Sequence, residues 1–403
     1  MPLNVSIRSQ LKPVVRRVPG VMSWRRKQLM RRYEPLRRPW DGGHLDRTLG
    51  ILRLSGSWRD IGRAVAEIGG GNAFVAATLA ALSRLPSRVQ RELSQQAERA
   101  FAHVSKSIPH LTHLFDGACE AASISREELI LAHCITAISP STIPRSCGAI
   151  GWLTPDGPVI AQTLDLGLTN DTAAALVEPA GGIPFVCHMN IGTMWFSTGI
   201  NAQGVAIAGA SVNVRKDYGA PPPCFVHPFI DLLVLSRASS RIEALALLRG
   251  ARPFGGPGDG SAHLVADRDG MSVVEIAGDR MEEQRSSRAL VNNHFELGGM
   301  PALEAADRTA AHYRRLSLSR RQSALRMLDK NTSNDVDTLT AFLEEGHRSD
   351  CWNRSAVPPD DGWTTARYVI DVPRRRFTVW NGPRPARPVP VVVDLAQVLG
   401  ECA

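Results

Sequence analysis

An α+β fold is what this chain of 403 residues predicts, and its pattern allows two antiparallel sheets packed between helical layers. Three observations carry the prediction. The pattern is helical from about Trp58 to Ala137, it changes to strands at Cys147, and two short helices then interrupt the strands before a further helical stretch.

In the first region Val89, Leu93, Ala97, Ala100, Phe101 and Val104 fall on one face at helical spacing. Ser125 and Glu128 have the spacing of a capping box ahead of the apolar run Leu129 to Cys134. Pro140 and Pro144 break the helix, and Ser141 to Arg145 reads as an exposed linker. Beyond it comes a hairpin: an apolar strand, the turn Thr154-Pro155-Asp156-Gly157, then a strand from Pro158 to Leu164. Strands follow at Phe185 to Met189 and Met194 to Thr198, and the turn Asn201-Ala202-Gln203-Gly204 leads into Val205 to Val212. Helices are expected over roughly Pro228 to Ser236 and Arg241 to Arg249, the second with a Ser240/Glu243 capping box and a stop at Gly250. Gly250 to Gly260 is a loop, strands flank Asp267 to Gly270, and Ala305 to Leu328 is helical. Tyr368 to Asp371 and Phe377 to Trp380 make a last hairpin.

Charge is unevenly placed. Residues 1–40 hold eleven Lys or Arg against Glu34 alone, a sum of +10; the whole chain is +8, so the rest sums to −2. The basic pI of 9.4 thus describes an N-terminal extension and not the body, which argues against a nucleic-acid-binding face. Residues 1–50 read as a mobile solvated segment. Val18, Val21, Met22, Trp24, Leu29, Met30 and Tyr33 among its arginines leave open an amphipathic membrane-surface helix or a dock for an acidic partner. No run reaches the roughly 18–20 apolar residues of a membrane span, and no secretory core is evident, so a soluble, cytoplasmic chain is expected. The seven cysteines are scattered without a Cys-x-x-Cys pair, which suggests neither disulfides nor zinc.

Cys147 opens a strand directly after the linker. If the bond from Ser146 to Cys147 breaks, Cys147 carries a thiol and a free α-amine, and the amine can act as general base for the thiol. Its ordinary pKa, about 7.7–8.0, suits that work near neutral pH. Asp165, eighteen positions on, would accept hydrogen bonds from the new ammonium or nearby backbone. The plain alternatives are a buried inert thiol and a strand-end turn residue. In Asn292-Asn293-His294-Phe295 either asparagine offers an amide donor for an oxyanion, and either can be a simple turn residue. Trp152, Trp195 and Phe196 are candidates for an acyl pocket or for core.

Several ordered landmarks between about Ile51 and Pro383 resemble one family. They are Leu52 to Gly62, Asp116 to Glu120 followed by Ser125 to Leu129, the Cys147/Asp165 pair, Asn292 to Phe295, and Thr365 to Pro383. The chain resembles the isopenicillin N acyltransferase (acyl-coenzyme A:6-aminopenicillanic acid acyltransferase) family of N-terminal-nucleophile hydrolases. The resemblance implies a four-layer αββα sandwich, a helical propeptide or α-subunit over 51–146, and a β-subunit over 147–403. It implies self-cleavage at Ser146-Cys147, with Cys147 as nucleophile, Asp165 as its partner and Asn293, in preference to Asn292, in the oxyanion hole. Against the family pattern, Thr163 stands where Asn is usual, Ala149 where a hydroxyl is usual, and Ser146 where Gly is usual; the family's C-terminal Arg has no clear counterpart among Thr364 to Arg367.

The function so implied is hydrolysis or transfer of an acyl group from a small-molecule amide or thioester through acyl-Cys147, with the two cleaved fragments as mutual partners. No metal or prosthetic group is expected; acyl-coenzyme A would enter only as an acyl donor. Two other readings stand beside it. One is an uncleaved family member that works as a binding or scaffold module. The other is an unrelated Cys-His protease, for which His188, His227 and His263 sit in no recognisable motif.

Overall fold

The computed structural model describes residues 44–400 except 47–48, 70–72, 139–146, 167–171, 216, 219–222, 256–257, 331–334, 346–362 and 382–389. The basic segment 1–40, the linker before Cys147 and Ser146 itself lie outside the described residues. Strands β1 (Leu45–Asp46) and β2 (Ile51–Gly56) precede five helices, α1 (Trp58–Gly69), α2 (Ala73–Leu82), α3 (Ser87–Ser107), α4 (Leu111–Ala122) and α5 (Arg126–Ile138). Six strands follow: β3 (Gly148–Thr154), β4 (Gly157–Leu166), β5 (Thr172–Pro179), β6 (Phe185–Asn190), β7 (Phe196–Asn201) and β8 (Ala206–Asn213). Helices α6 (Ile230–Arg237) and α7 (Arg241–Gly250) lead to β9 (Asp259–Asp267), β10 (Gly270–Ala277), β11 (Arg280–Arg285) and β12 (Arg288–Val291). The chain closes with α8 (Arg308–Lys330), α9 (Val336–Glu345), β13 (Trp363–Asp371), β14 (Arg376–Asn381), β15 (Val391–Asp394) and α10 (Leu395–Val398).

Local chemistry sets several of these boundaries. Thr154 Oγ1 accepts from the N–H groups of Asp156 and Gly157, which folds the β3–β4 turn back on itself. The Ser125/Glu128 box starts α5 in both directions, Ser125 N donating to the Glu128 carboxylate and Glu128 N to Ser125 Oγ. At α7 Ser240 caps Glu243 N as expected, but the Glu243 carboxylate takes the N–H of Ser239 instead of Ser240. Helices α1 and α4 cross at glycines: a Cβ on Gly62 would lie 1.9 Å from Leu114 O, and one on Gly117 1.9 Å from Arg59 O.

The strands form two sheets, a nine-stranded one in the order β1-β2-β5-β6-β7-β8-β9-β10-β11 and a six-stranded one in the order β12-β3-β4-β13-β14-β15. Three cores separate four layers. Leu93, Phe101, Phe115 and Leu233 pack helices onto Phe185 and Phe196 of the nine-stranded sheet. Ile160, Leu176, Ile200, Leu264 and Tyr368 fill the space between the sheets. Trp152, Ala161 and Val369 of the six-stranded sheet meet Ala324, Leu328, Phe342 and Leu343 of α8 and α9. The result is an α+β sandwich of helices, sheet, sheet and helices. It is antiparallel with one exception, since β2 pairs in parallel with β5, and this seats a strand from before Cys147 inside the nine-stranded sheet. The strand expected over Met194 to Thr198 begins two residues later and runs to Asn201. Thr198 is the extra residue where β6–β7 pairing shifts register, and it has φ +38.

Candidate active site

Strand β3 lies between β12 and β4. At its start Ala149 pairs with Val291 of β12 and Gly148 with Thr163 of β4. Extending these registers by one residue puts Cys147 level with Asn293, two residues past the end of β12, and with Leu164 of β4, next to Asp165. Three residues spread over the sequence thus reach one end of one sheet. Cys147 itself is buried in the core between the sheets.

Alternation along β4 gives it two polar faces. Thr163 and Asp165 point outward, toward α8. There Arg320 Nη1 lies 3.1 Å from Asp165 Oδ2, and Arg320 Nη2 donates to Thr163 Oγ1 at 3.1 Å. All three side chains are buried. A charge pair withdrawn from water in this way is sustained by close contact and by further hydrogen bonds, and the planar guanidinium supplies both. Arg367, on β13, donates instead to Leu343 O at 3.4 Å, so the arginine beside Asp165 comes from α8. One signal pointed to it: Arg320 falls with Ser317, Ala324 and Leu328 on the buried stripe of its helix.

The inner face is neutral. Gln162 Nε2 donates to Gly209 O at 2.7 Å and its Oε1 accepts from Thr198 Oγ1 at 2.6 Å. Asn293 Nδ2 donates to Ser211 O at 2.8 Å, which leaves its second amide hydrogen for another acceptor. Tyr368 Oη and His188 Nδ1 share a hydrogen bond. Burial, with the neighbouring Cys187 and Cys147, holds the Tyr368 phenol well above its usual value, and burial pushes His188 down to about 3. Both therefore stay uncharged at neutral pH. Asn292 is buried, and neither atom of its amide has a hydrogen-bond partner.

The segment after Asn293 is pinned from several sides. His294 bonds Ser317 Oγ at 2.7 Å and Glu296 at 3.1 Å, so it anchors the loop to α8. Phe295 N donates to Glu304, and the N–H groups of Glu296 and Leu297 donate to Glu275 at 2.7 and 2.9 Å. Burial pushes the Glu275 carboxyl up to about 7 against those bonds. Trp152 and Phe196 are core residues, Trp152 packed toward α8 and α9 and Phe196 toward the helices of the other face, while the half-buried Trp195 packs edge-on against His133. Cys134, Cys187 and Cys224 are buried thiols raised by burial, Cys224 to about 12, and such thiols remain protonated and inert. Among the described residues no group of three or more His, Cys, Asp or Glu is placed to hold a metal ion. No described helix is long and apolar enough to cross a membrane.

No protein-family model and no curated protein matches the chain. Solved structures resemble it in part. Penicillin V acylase from Agrobacterium tumefaciens aligns over 62% of this chain and 87% of its own, with 15% identity and a TM-score of 0.41. A mutant of conjugated bile acid hydrolase from Clostridium perfringens aligns over 62% and 93%, with 12% identity and a TM-score of 0.40. The Caenorhabditis elegans ortholog of N-acylethanolamine-hydrolyzing acid amidase aligns over 56% and 93%, with 14% identity and a TM-score of 0.37.

Proposed function

We propose that the chain is a self-processing N-terminal-nucleophile amidohydrolase or acyltransferase with Cys147 as its nucleophile. One observation carries the reading. By strand register, the residue just before β3 falls beside a buried carboxylate near the end of β4 and a buried amide donor just past the end of β12.

In the processing step Cys147 Sγ attacks the carbonyl carbon of Ser146. The C–N bond to Cys147 breaks as its nitrogen takes up the thiol proton, and water hydrolyses the resulting thioester to a Ser146 carboxylate and a free Cys147 thiol. The α-amine so released takes the thiol proton in each later turnover. The thiolate attacks the substrate acyl carbon, the oxyanion is met by the free N–H of Asn293, and the ammonium returns its proton to the leaving amine or thiol. Water, or an acceptor amine, then attacks acyl-Cys147 and regenerates the thiol. Asp165, held by Arg320, is the acceptor that orients the amine. Thr163 sits in the same clamp, so the residue that departs from the family pattern has a defined task in this chain. The substrate class is an N-acylated small amine or an acyl thioester, acyl-coenzyme A included.

The test uses p-nitrophenyl butyrate as acyl donor, with peptide mapping after rapid acid quench. The expected result is a butyryl group on the peptide that begins at Cys147, lost when Cys147 is Ala. Butyrylation confined to other cysteines, or none at all, contradicts the reading.

A further inference from the structure

Strands β7 and β8 pair over only two couples, Gly199 with Ile207 and Ile200 with Ala206, although β8 continues beside β9 as far as Asn213. Past Ala208 the two strands part, and the carbonyls of Gly209 and Ser211 on β8 are taken by side chains of the other sheet, Gln162 and Asn293. Gln162 fills the split in both directions, since its carbonyl also receives the Thr198 hydroxyl from β7. Thr198 is locked from behind: its backbone N–H donates to Asp231 Oδ2 of α6 at 2.9 Å. Asp231 Oδ1 in turn lies 3.4 Å from His263 Nδ1. That ring covers Gly209 so closely that a Cβ there would be 2.4 Å from Nδ1. Gln162, Thr198, Asp231, His263 and Gly209 thus form a buried ring of contacts, hydrogen-bonded from Gly209 through Gln162 and Thr198 to Asp231 and completed by the packing of His263.

The ring holds a costly conformation. Thr198 is β-branched and sits at φ +38, where such residues are rare. Backbone strain of this kind persists where surrounding contacts over-determine it, and it collects at functional sites. Here the strained residue grips the side chain opposite Ala149, two residues from Cys147.

We propose that Gln162 is a positioning residue whose amide, wedged between β7 and β8 and locked through Thr198 to Asp231, fixes β4 and the adjoining start of β3 against the nine-stranded sheet. It acts on Cys147 through the backbone of that hairpin and touches no substrate. The proposal rests on Cys147 being the nucleophile only for its catalytic consequence; the mechanical claim stands apart.

The test compares Thr198→Gly, which accepts the backbone angle but lacks the hydroxyl, with Thr198→Ser, which keeps it, and with Gln162→Met. Cleavage before Cys147 is followed by intact mass, and amide hydrogen exchange is read in the same variants carrying Cys147→Ala, where every chain is whole. Thr198→Gly should melt within about 2 °C of wild type, because relief of strain offsets the lost hydrogen bond. It should nonetheless slow cleavage by about tenfold or more, as small misplacements of a reacting group do. Exchange over Gly148–Leu166 should rise by about threefold while β9–β11 stay unchanged. Gln162→Met should follow it, and Thr198→Ser should behave as wild type. Wild-type cleavage and exchange in both Thr198→Gly and Gln162→Met would overturn the proposal, as would faster exchange spread evenly over both sheets. If the exchange pattern appears but wild type is never cleaved, the positioning claim holds and the catalytic reading fails.

Discussion

On its outer face β4 presents Thr163 and Asp165 to the fixed charge of Arg320; on its inner face it presents Gln162 and Leu164 to neutral groups of the other sheet. Both faces bury polar atoms, and both draw partners for them from across a layer boundary. The charges, however, stand on the face turned away from the Cys147 side chain, while the inner face offers amides, a phenol and a neutral imidazole. This division suits a nucleophile that must cycle between thiol and thiolate. A carboxylate facing the sulfur would oppose the thiolate, and an arginine would pair with it. Neutral donors stabilise developing charge without either effect.

The largest test of the comparison strikes the charged face. Arg320→Met leaves Asp165 buried without its charged partner, and breaking such a pair costs roughly 3–5 kcal/mol. The urea midpoint should fall steeply, and Asp165→Asn in the same chain should restore much of it. An unchanged midpoint in the single variant would mean that the two faces do not differ in the way described.

A second test reaches the far anchor of the neutral face. Burial raises Asp231 from 3.8 to about 6, opposed by the Thr198 N–H and by His227. The fold therefore prefers this carboxyl protonated: its contribution is full below pH 3.8 and is lost as pH rises through 6. The shift corresponds to roughly 3 kcal/mol. Asp231→Asn should gain stability relative to wild type between about pH 4 and pH 7.5. The buried His133 and His188, at about 4 and 3, lose their contribution as pH falls from 6.5 in both proteins alike, so the difference reports Asp231 together with His263, 3.4 Å from its carboxylate. A gap that does not change with pH would place the charge elsewhere.

The smallest effect concerns Asn292, whose amide is buried without a partner. Such a group costs about 1–3 kcal/mol, so Asn292→Leu should raise the urea midpoint. A lowered midpoint would show that the amide is satisfied in solution and that the neutral face extends to this residue.

Much of the fold was legible because its signals are local. The Thr154 to Gly157 turn, the Ser125 box and the Asn201 turn each use a side chain on backbone two to four residues away, and each stands as the sequence implies. Glu243 shows the limit of local reading, since two adjacent serines offer equivalent N–H groups and the carboxylate takes the earlier one. Features that depend on distant partners were not legible. Arg320 reaches Asp165 across 155 positions, and β2 enters the sheet beside a strand more than a hundred residues away. The split between β7 and β8 is likewise invisible in an apolar run, because Gln162, which fills it, belongs to the other sheet. Cys147, Asp165 and Asn293 emerged as candidates because the spacing of the first two and the segment around the third resemble a known family; that strand register brings them to one end of a sheet is a matter of strand order.

The most direct measurement is the intact mass of purified wild type beside Cys147→Ala. Dividing 43.8 kDa in proportion to 146 and 257 residues gives pieces of roughly 16 and 28 kDa. The account expects wild type to yield both, the larger beginning at Cys147, while Cys147→Ala stays whole. A wild-type chain that remains intact, or that is cut equally in the alanine variant, would contradict it.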